Sequence, residues 1–112
     1  MTPLAGSAFK VCAEPYHVYI TVTSPDDRGC VVIVNLTSLY DSTEDTACVL
    51  SVSDYPEYLK KPTTVAYGRA IHVLARTLQN PSHFRPIQPV PQATLRKIME
   101  GALKSDSMPG KL

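Results

Sequence analysis

The run Cys30-Val31-Val32-Ile33-Val34-Asn35-Leu36 constrains the fold more than any other segment. A strand with one wet face alternates apolar and polar side chains, whereas this one is almost wholly apolar and β-branched, the composition of a central strand covered on both faces. The expectation is that it forms the spine of a sheet. Just before it, YHVYITVT from Tyr16 to Thr23 does alternate: Val18, Ile20 and Val22 share one face, and His17, Tyr19, Thr21 and Thr23 the other, the period of a half-buried strand. Between the two lies Ser24-Pro25-Asp26-Asp27-Arg28-Gly29. Proline and glycine at turn positions, with aspartates able to bond the local backbone, make this a hairpin link.

The remaining segments fit a sheet with one helix. A short strand is expected at Ala8 to Cys12 within a lead-in, a loop from Thr37 to Thr46, a third strand from Ala47 to Val52, and a second long loop over SDYPEYLKKP, Ser53 to Pro62. Thr63 to Tyr67 resumes the β pattern and is expected to pass through Gly68 as a bulge into Ala70 to Val73, followed by a short helix. Helix over the whole of Arg69 to Leu78 is the rival reading, since Ala, Leu and Arg favour it. Pro81, Pro86, Pro89 and Pro91 mark the stretch from Asn80 to Pro91 as a connector. From Gln92 to Lys104, Leu95, Ile98, Met99, Ala102 and Leu103 recur at helical spacing, with Arg96, Lys97, Glu100 and Lys104 opposite. The chain of 112 residues therefore reads as one mainly β (α+β) domain. Its expected parts are a lead-in (1–14), a small barrel (16–78), a terminal helix (91–104) and a polar tail (105–112).

Charge and motifs exclude more than they select. A net charge of +1 does not mark a nucleic-acid binder, so any such site has to be a local patch. No glycine-rich phosphate loop, HExxH or GxSxG is present, so no cofactor is expected. Cys12, Cys30 and Cys48 form no Cys-x-x-Cys pair and have no histidine at ligand spacing, which gives no linear support for a metal site and suggests buried structural thiols. His72, in an apolar stretch, and His83, in a loop, read as structural. No basic stretch followed by an apolar run opens the chain, and no run approaches the about 18 apolar residues of a membrane span. No membrane partner and a cytoplasmic location are the expectation.

The candidates for chemistry are few. His17 opens its strand and has the side chain whose ordinary titration range suits a general acid or base; a hydrogen-bonded strand-end histidine is the plainer alternative. Thr37 and Ser38 close the central strand, where hydroxyls either reach into a groove or bond the turn backbone. Lys60, Lys61 and Arg69 are cations suited to phosphates or simply to water, and Tyr55, Tyr58 and Tyr67 near them offer base-stacking surfaces if their loop lines a groove.

The order of these pieces resembles the MazF/PemK-type toxins of bacterial toxin-antitoxin systems. The likeness is carried by HVYITVTSPDDRGCVVIVNLTS, by LKKPTTVAYGRAIHVLARTL and by the closing PQATLRKIMEGALKS, a pattern over roughly Tyr16 to Lys104. The resemblance implies a small SH3-like β-barrel with a C-terminal α-helix. It further implies a homodimeric endoribonuclease that cleaves single-stranded RNA without metal and is inhibited by an antitoxin protein lying in the RNA groove. Thr37 matches the family's threonine after the second strand. Glu14-Pro15-Tyr16-His17 stands where the family carries an arginine-proline pair. By its position alone, His17 is the candidate to take over acid-base work, with Ser38, Lys60, Lys61 and Arg69 the candidates to hold substrate. Two other readings stay open: a non-catalytic SH3-like module that binds a protein partner, and a toxin of the same fold that binds a protein target such as a topoisomerase.

Overall fold

The computed structural model describes residues 4–13, 17–38, 46–106 and 108. They are mainly β: a curled antiparallel sheet with one C-terminal helix, the small barrel-like build expected. The strands are β1 (Ala8–Val11), β2 (Val18–Thr21), β3 (Cys30–Ser38), β4 (Val49–Leu50), β5 (Thr63–Leu74) and β6 (Phe84–Ile87), and α1 spans Gln92–Lys104. Spatial order is β4-β5-β3-β2-β1-β6, so β3 lies inside the sheet between β5 and β2.

Both faces of β3 are covered, as its composition requires. Val34 and Leu36 belong to the main core, with Val18, Ile20 and Val22 from the hairpin, Val65 and Tyr67 from β5, and Ile98 and Ala102 from α1. Val31 and Ile33 point the other way, into a smaller cluster of Phe9, Ala75 and Leu78. That second layer is closed by a 3-10 turn, Ala75–Gln79, the short helix expected after β5. The bulge is also there: Tyr67, Gly68, Arg69 and Ala70 all lie opposite Val34, between the pairs Asn35↔Ala66 and Ile33↔Ile71.

Five expectations need correction. Of the cysteines expected to be buried, Cys12 is exposed and Cys30 half-buried, and Cys48 alone is buried. The third strand is only Val49–Leu50. The Asp54 carboxylate takes the Ser51 N–H at 2.8 Å, and this local bond draws the chain out of the ladder into a 3-10 turn, Val52–Asp54. The proline-marked connector contains β6, which pairs antiparallel with β1 and places Pro86 opposite Phe9. β6 is an edge strand, whose outer row of amides the ladder does not use, so proline is tolerated. The lead-in is part of the sheet, since β1 joins β2 to β6. The tail is not wholly polar surface either: Ser105 and Met108 are buried, Met108 in the main core. The expected loop residues 39–45 lie outside the described residues, as do Tyr16 and much of the tail.

Two contacts lock α1 onto the sheet. The Tyr67 hydroxyl donates to the Ile98 carbonyl at 2.6 Å, and Gly101 lets the helix backbone approach closely. A Cβ there would sit 2.7 Å from the Cys48 Cβ and against the Tyr67 hydroxyl. Alanine elsewhere in a helix gains about 1 kcal/mol over glycine, but overfilling a packed core costs about 1–3 kcal/mol. Gly101→Ala is therefore expected to lower stability in denaturant unfolding, the reverse of what helix propensity alone gives.

Tyr55 provides a second lock, fully buried with its hydroxyl donating to the Gln88 carbonyl. Burial, with Glu57 and Tyr58 nearby, pushes that hydroxyl up from its ordinary 10.0 to about 12. The unfolded chain ionises first, so the stabilisation is complete below about pH 10 and is lost as pH rises through about 12. In urea unfolding across that window, Tyr55→Phe should show a shallower alkaline loss than the parent. At neutral pH it should be less stable by about 1 kcal/mol for the missing hydrogen bond.

Candidate functional site

The ends of three strands meet on one side of the sheet. Val18 pairs with Leu36 in the β2/β3 ladder, and continuing that antiparallel register by one residue sets His17 across from Thr37. On the other flank of β3, Thr37 pairs with Thr64 and Ser38 with Thr63. Adjacent strands lie about 5 Å apart, so these strand ends stand close together, although Thr64 itself is buried with its hydroxyl donating to the Cys48 carbonyl at 3.2 Å.

The segment from Ser51 to Pro62 closes the site from above, and its own anchors fix its position. Tyr55 and Leu59 are buried, and the Leu59 N–H donates to the Tyr55 carbonyl at 2.9 Å. Asp54 is tied to α1 twice, through Lys97 Nζ at 2.9 Å and through the Thr94 hydroxyl donating to the Asp54 carbonyl. Burial raises the Asp54 carboxyl, but the bonds from Lys97 and the Ser51 N–H outweigh it and hold the group below its ordinary 3.8. With both anchors in the core, Tyr58 and Lys61 are delivered over the end of β3.

The result is a cleft of about 300 Å³. His17, Thr37, Ser38 and Lys61 line it, with Tyr58 and Leu59 from the covering segment and Val18, Leu36 and Thr63 at its floor. His17 is half-buried, and its ring stands edge-on to Tyr19, centroids 6.4 Å apart at 64°. The Thr63 hydroxyl donates to the Lys61 carbonyl at 3.0 Å, which holds that part of the wall. None of the described residues lining the cleft is acidic.

Of the residues singled out in the sequence, the fold brings together His17, Thr37, Ser38 and Lys61. Lys60 is exposed beside the cleft without lining it, and Arg69 stands on the β5 bulge outside the lining. Two of the three tyrosines offered as stacking surfaces are core residues: Tyr55 and Tyr67 are both fully buried, and only Tyr58 faces the cleft. Leu59 and Thr63 were not legible as site residues. The only signal for them was adjacency to Tyr58 and to the lysine pair.

A second, apolar cleft of about 530 Å³ lies at the other sheet edge, lined by Phe9, Leu78, Phe84, Pro86, Ile87 and Pro89 among others. No helix among the described residues is long and apolar enough to cross a membrane. No protein-family model matches the chain, and no curated protein matches it either.

Proposed function

We propose that the protein is a toxin-like endoribonuclease of a toxin-antitoxin system that cleaves single-stranded RNA without metal. The supporting observation is that His17, Thr37, Ser38 and Lys61, distant in sequence, line one cleft together with an aromatic ring, Tyr58. In this chemistry the ribose 2′-hydroxyl attacks the adjacent phosphorus. The bond to the 5′ oxygen of the next nucleotide breaks, leaving a 2′,3′-cyclic phosphate and a free 5′-hydroxyl.

That step needs a proton acceptor, a proton donor and stabilisation of the charge that builds on the phosphoryl oxygens. His17 takes the proton from the 2′-hydroxyl in its neutral form or supplies one to the leaving oxygen in its charged form. The Thr37 and Ser38 hydroxyls donate to the phosphoryl oxygens, and Lys61 offsets their charge. Tyr58 gives a flanking base a surface to stack on. The homodimer and an antitoxin lying in the cleft belong to this same reading, as the resemblance implies them, and a cytoplasmic location is proposed with it.

A second reading, a non-catalytic interaction module, has one observation in its favour: the apolar cleft beside β6. Incubating the purified protein with single-stranded RNA and a chelator separates the two. Cleavage leaving 5′-hydroxyl ends is expected, slowed by about 100-fold or more in His17→Ala and weakened in substrate affinity by Lys61→Ala. Unchanged cleavage in folded His17→Ala would remove the histidine from the mechanism, and failure to cut any single-stranded RNA would favour the module.

A further inference from the structure

The opposite end of the β2/β3 hairpin carries a different constellation. Asp26, Cys30 and His72 each offer one ligating atom, and the three atoms lie within 4.8 Å of one another. They come from three places: Asp26 from the turn, Cys30 from the start of β3, and His72 from β5, where it pairs with Val32 while Cys30 pairs with Leu74. Cys30 and His72 are thus diagonal neighbours on one face of an antiparallel ladder, a relation fixed by register.

Asp26 is the most constrained of the three. Its N–H donates to the Cys30 carbonyl at 2.9 Å and its carbonyl accepts from Gly29 at 3.0 Å. Gly29 has φ +77°, a backbone conformation that side chains other than glycine rarely adopt. Asp26 Oδ1 accepts from the N–H groups of Arg28 and Cys30, both at 2.9 Å. That leaves Oδ2, which faces His72 Nε2 at 3.2 Å. One carboxylate oxygen is spent on orienting the group, and the other is presented to the cluster, the division of labour common in metal-ligating carboxylates.

We propose that Asp26, Cys30 and His72 bind a zinc ion. A tetrahedral site with Zn–N, Zn–O and Zn–S bonds of about 2.0–2.3 Å has ligand-to-ligand edges of about 3.3–3.8 Å. The Asp26–His72 separation of 3.2 Å is close to such an edge, and the remaining separations, all within 4.8 Å, require closing by at most about 1–1.5 Å. One sulfur, one nitrogen and one oxygen suit a borderline-soft divalent ion and not magnesium or calcium, which take oxygen sets. As the ion binds, the Cys30 thiol releases its proton to solvent. The resulting thiolate and the Asp26 carboxylate balance the two positive charges, and neutral His72 completes the set.

The His72 and Asp26 side chains are 58% and 41% exposed, which gives the ion an entry path and leaves a fourth position for water. Held this way, the ion would staple the β2/β3 turn to the far end of β5. It would thereby reinforce the Ala75 N–H···Gly29 carbonyl bond, at 2.8 Å, that now joins these segments.

The test titrates the purified full chain with Co²⁺ as the spectroscopic stand-in and with Zn²⁺ in competition against a chromophoric chelator. The expected result is one equivalent of Co²⁺ giving a thiolate-to-metal charge-transfer band that Zn²⁺ displaces. Cys30→Ser should abolish the band, His72→Ala and Asp26→Asn should each weaken binding by about tenfold or more, and Cys12→Ser should leave it intact. Zn²⁺ should also raise the melting temperature of the parent but not of Cys30→Ser, which checks that the variant is folded and isolates the binding term. A parent without the band, or a band that survives Cys30→Ser and His72→Ala or disappears in Cys12→Ser, would overturn the assignment.

Discussion

Everything in this molecule hangs on the burial of β3 from both sides. Val34 and Leu36 face one core and Val31 and Ile33 the other, so a shift of one residue in register would exchange the two sets and misfit both layers. That requirement fixes β3 against β2 and β5, and fixing those ladders fixes what lies at their ends. At the C-terminal end of β3, Thr37 and Ser38 come beside His17. At its N-terminal end, Cys30 comes diagonal to His72. Neither grouping depends on a loop finding its place, because each follows from the pairing of strands.

The covering segment from Ser51 to Pro62 solves a different problem. A loop with two prolines and two lysines has little reason to hold one position, yet this one is buttoned to the body by Tyr55 and Leu59 in the core and by the Asp54 contacts to Lys97 and Thr94. The helix thus supports the cleft indirectly. Gly101 and Tyr67 set how closely α1 approaches the sheet, α1 sets where Asp54 stands, and Asp54 lies at the head of the segment that carries Tyr58 and Lys61.

Much of this was legible in the sequence because the period-2 pattern is local. The central strand, its hairpin, the β5 bulge and α1 all announce themselves in consecutive residues. His17, Thr37 and Ser38 could be named because strand ends can be read from the same pattern. What escaped depends on distant partners. β6 was hidden because its prolines argue against a strand unless it is known to be at an edge. Tyr55 and Tyr67 looked like surface aromatics beside cations, and only their distant partners, the Gln88 carbonyl for Tyr55 and the Ile98 carbonyl of α1 for Tyr67, show them to be core. The Asp26, Cys30 and His72 cluster has no linear ligand spacing at all. It is created by register, with a residue 42 positions beyond Cys30 brought diagonal to it, so a search for Cys-x-x-Cys or nearby histidines had nothing to find.

The separation of the two ends has a consequence for how the proposed chemistry would be driven. β3 spans nine residues, and at about 3.3 Å per residue its ends stand roughly 25 Å apart. That is well beyond the about 8 Å over which charges at physiological salt act strongly. A cation held at the turn would therefore contribute little to attraction of phosphate into the cleft. Attraction there rests on Lys61, with Lys60 beside it and His17 when protonated, in a chain whose net charge is only +1. So modest a field cannot supply the bulk of RNA affinity. In the proposed ribonuclease, stacking on Tyr58, donation from Thr37 and Ser38, and the pairing of two clefts in a homodimer would be the terms left to supply it. If the proposed homodimer forms, a strand engaged by two clefts at once would gain from effective concentration what a single weakly charged cleft lacks.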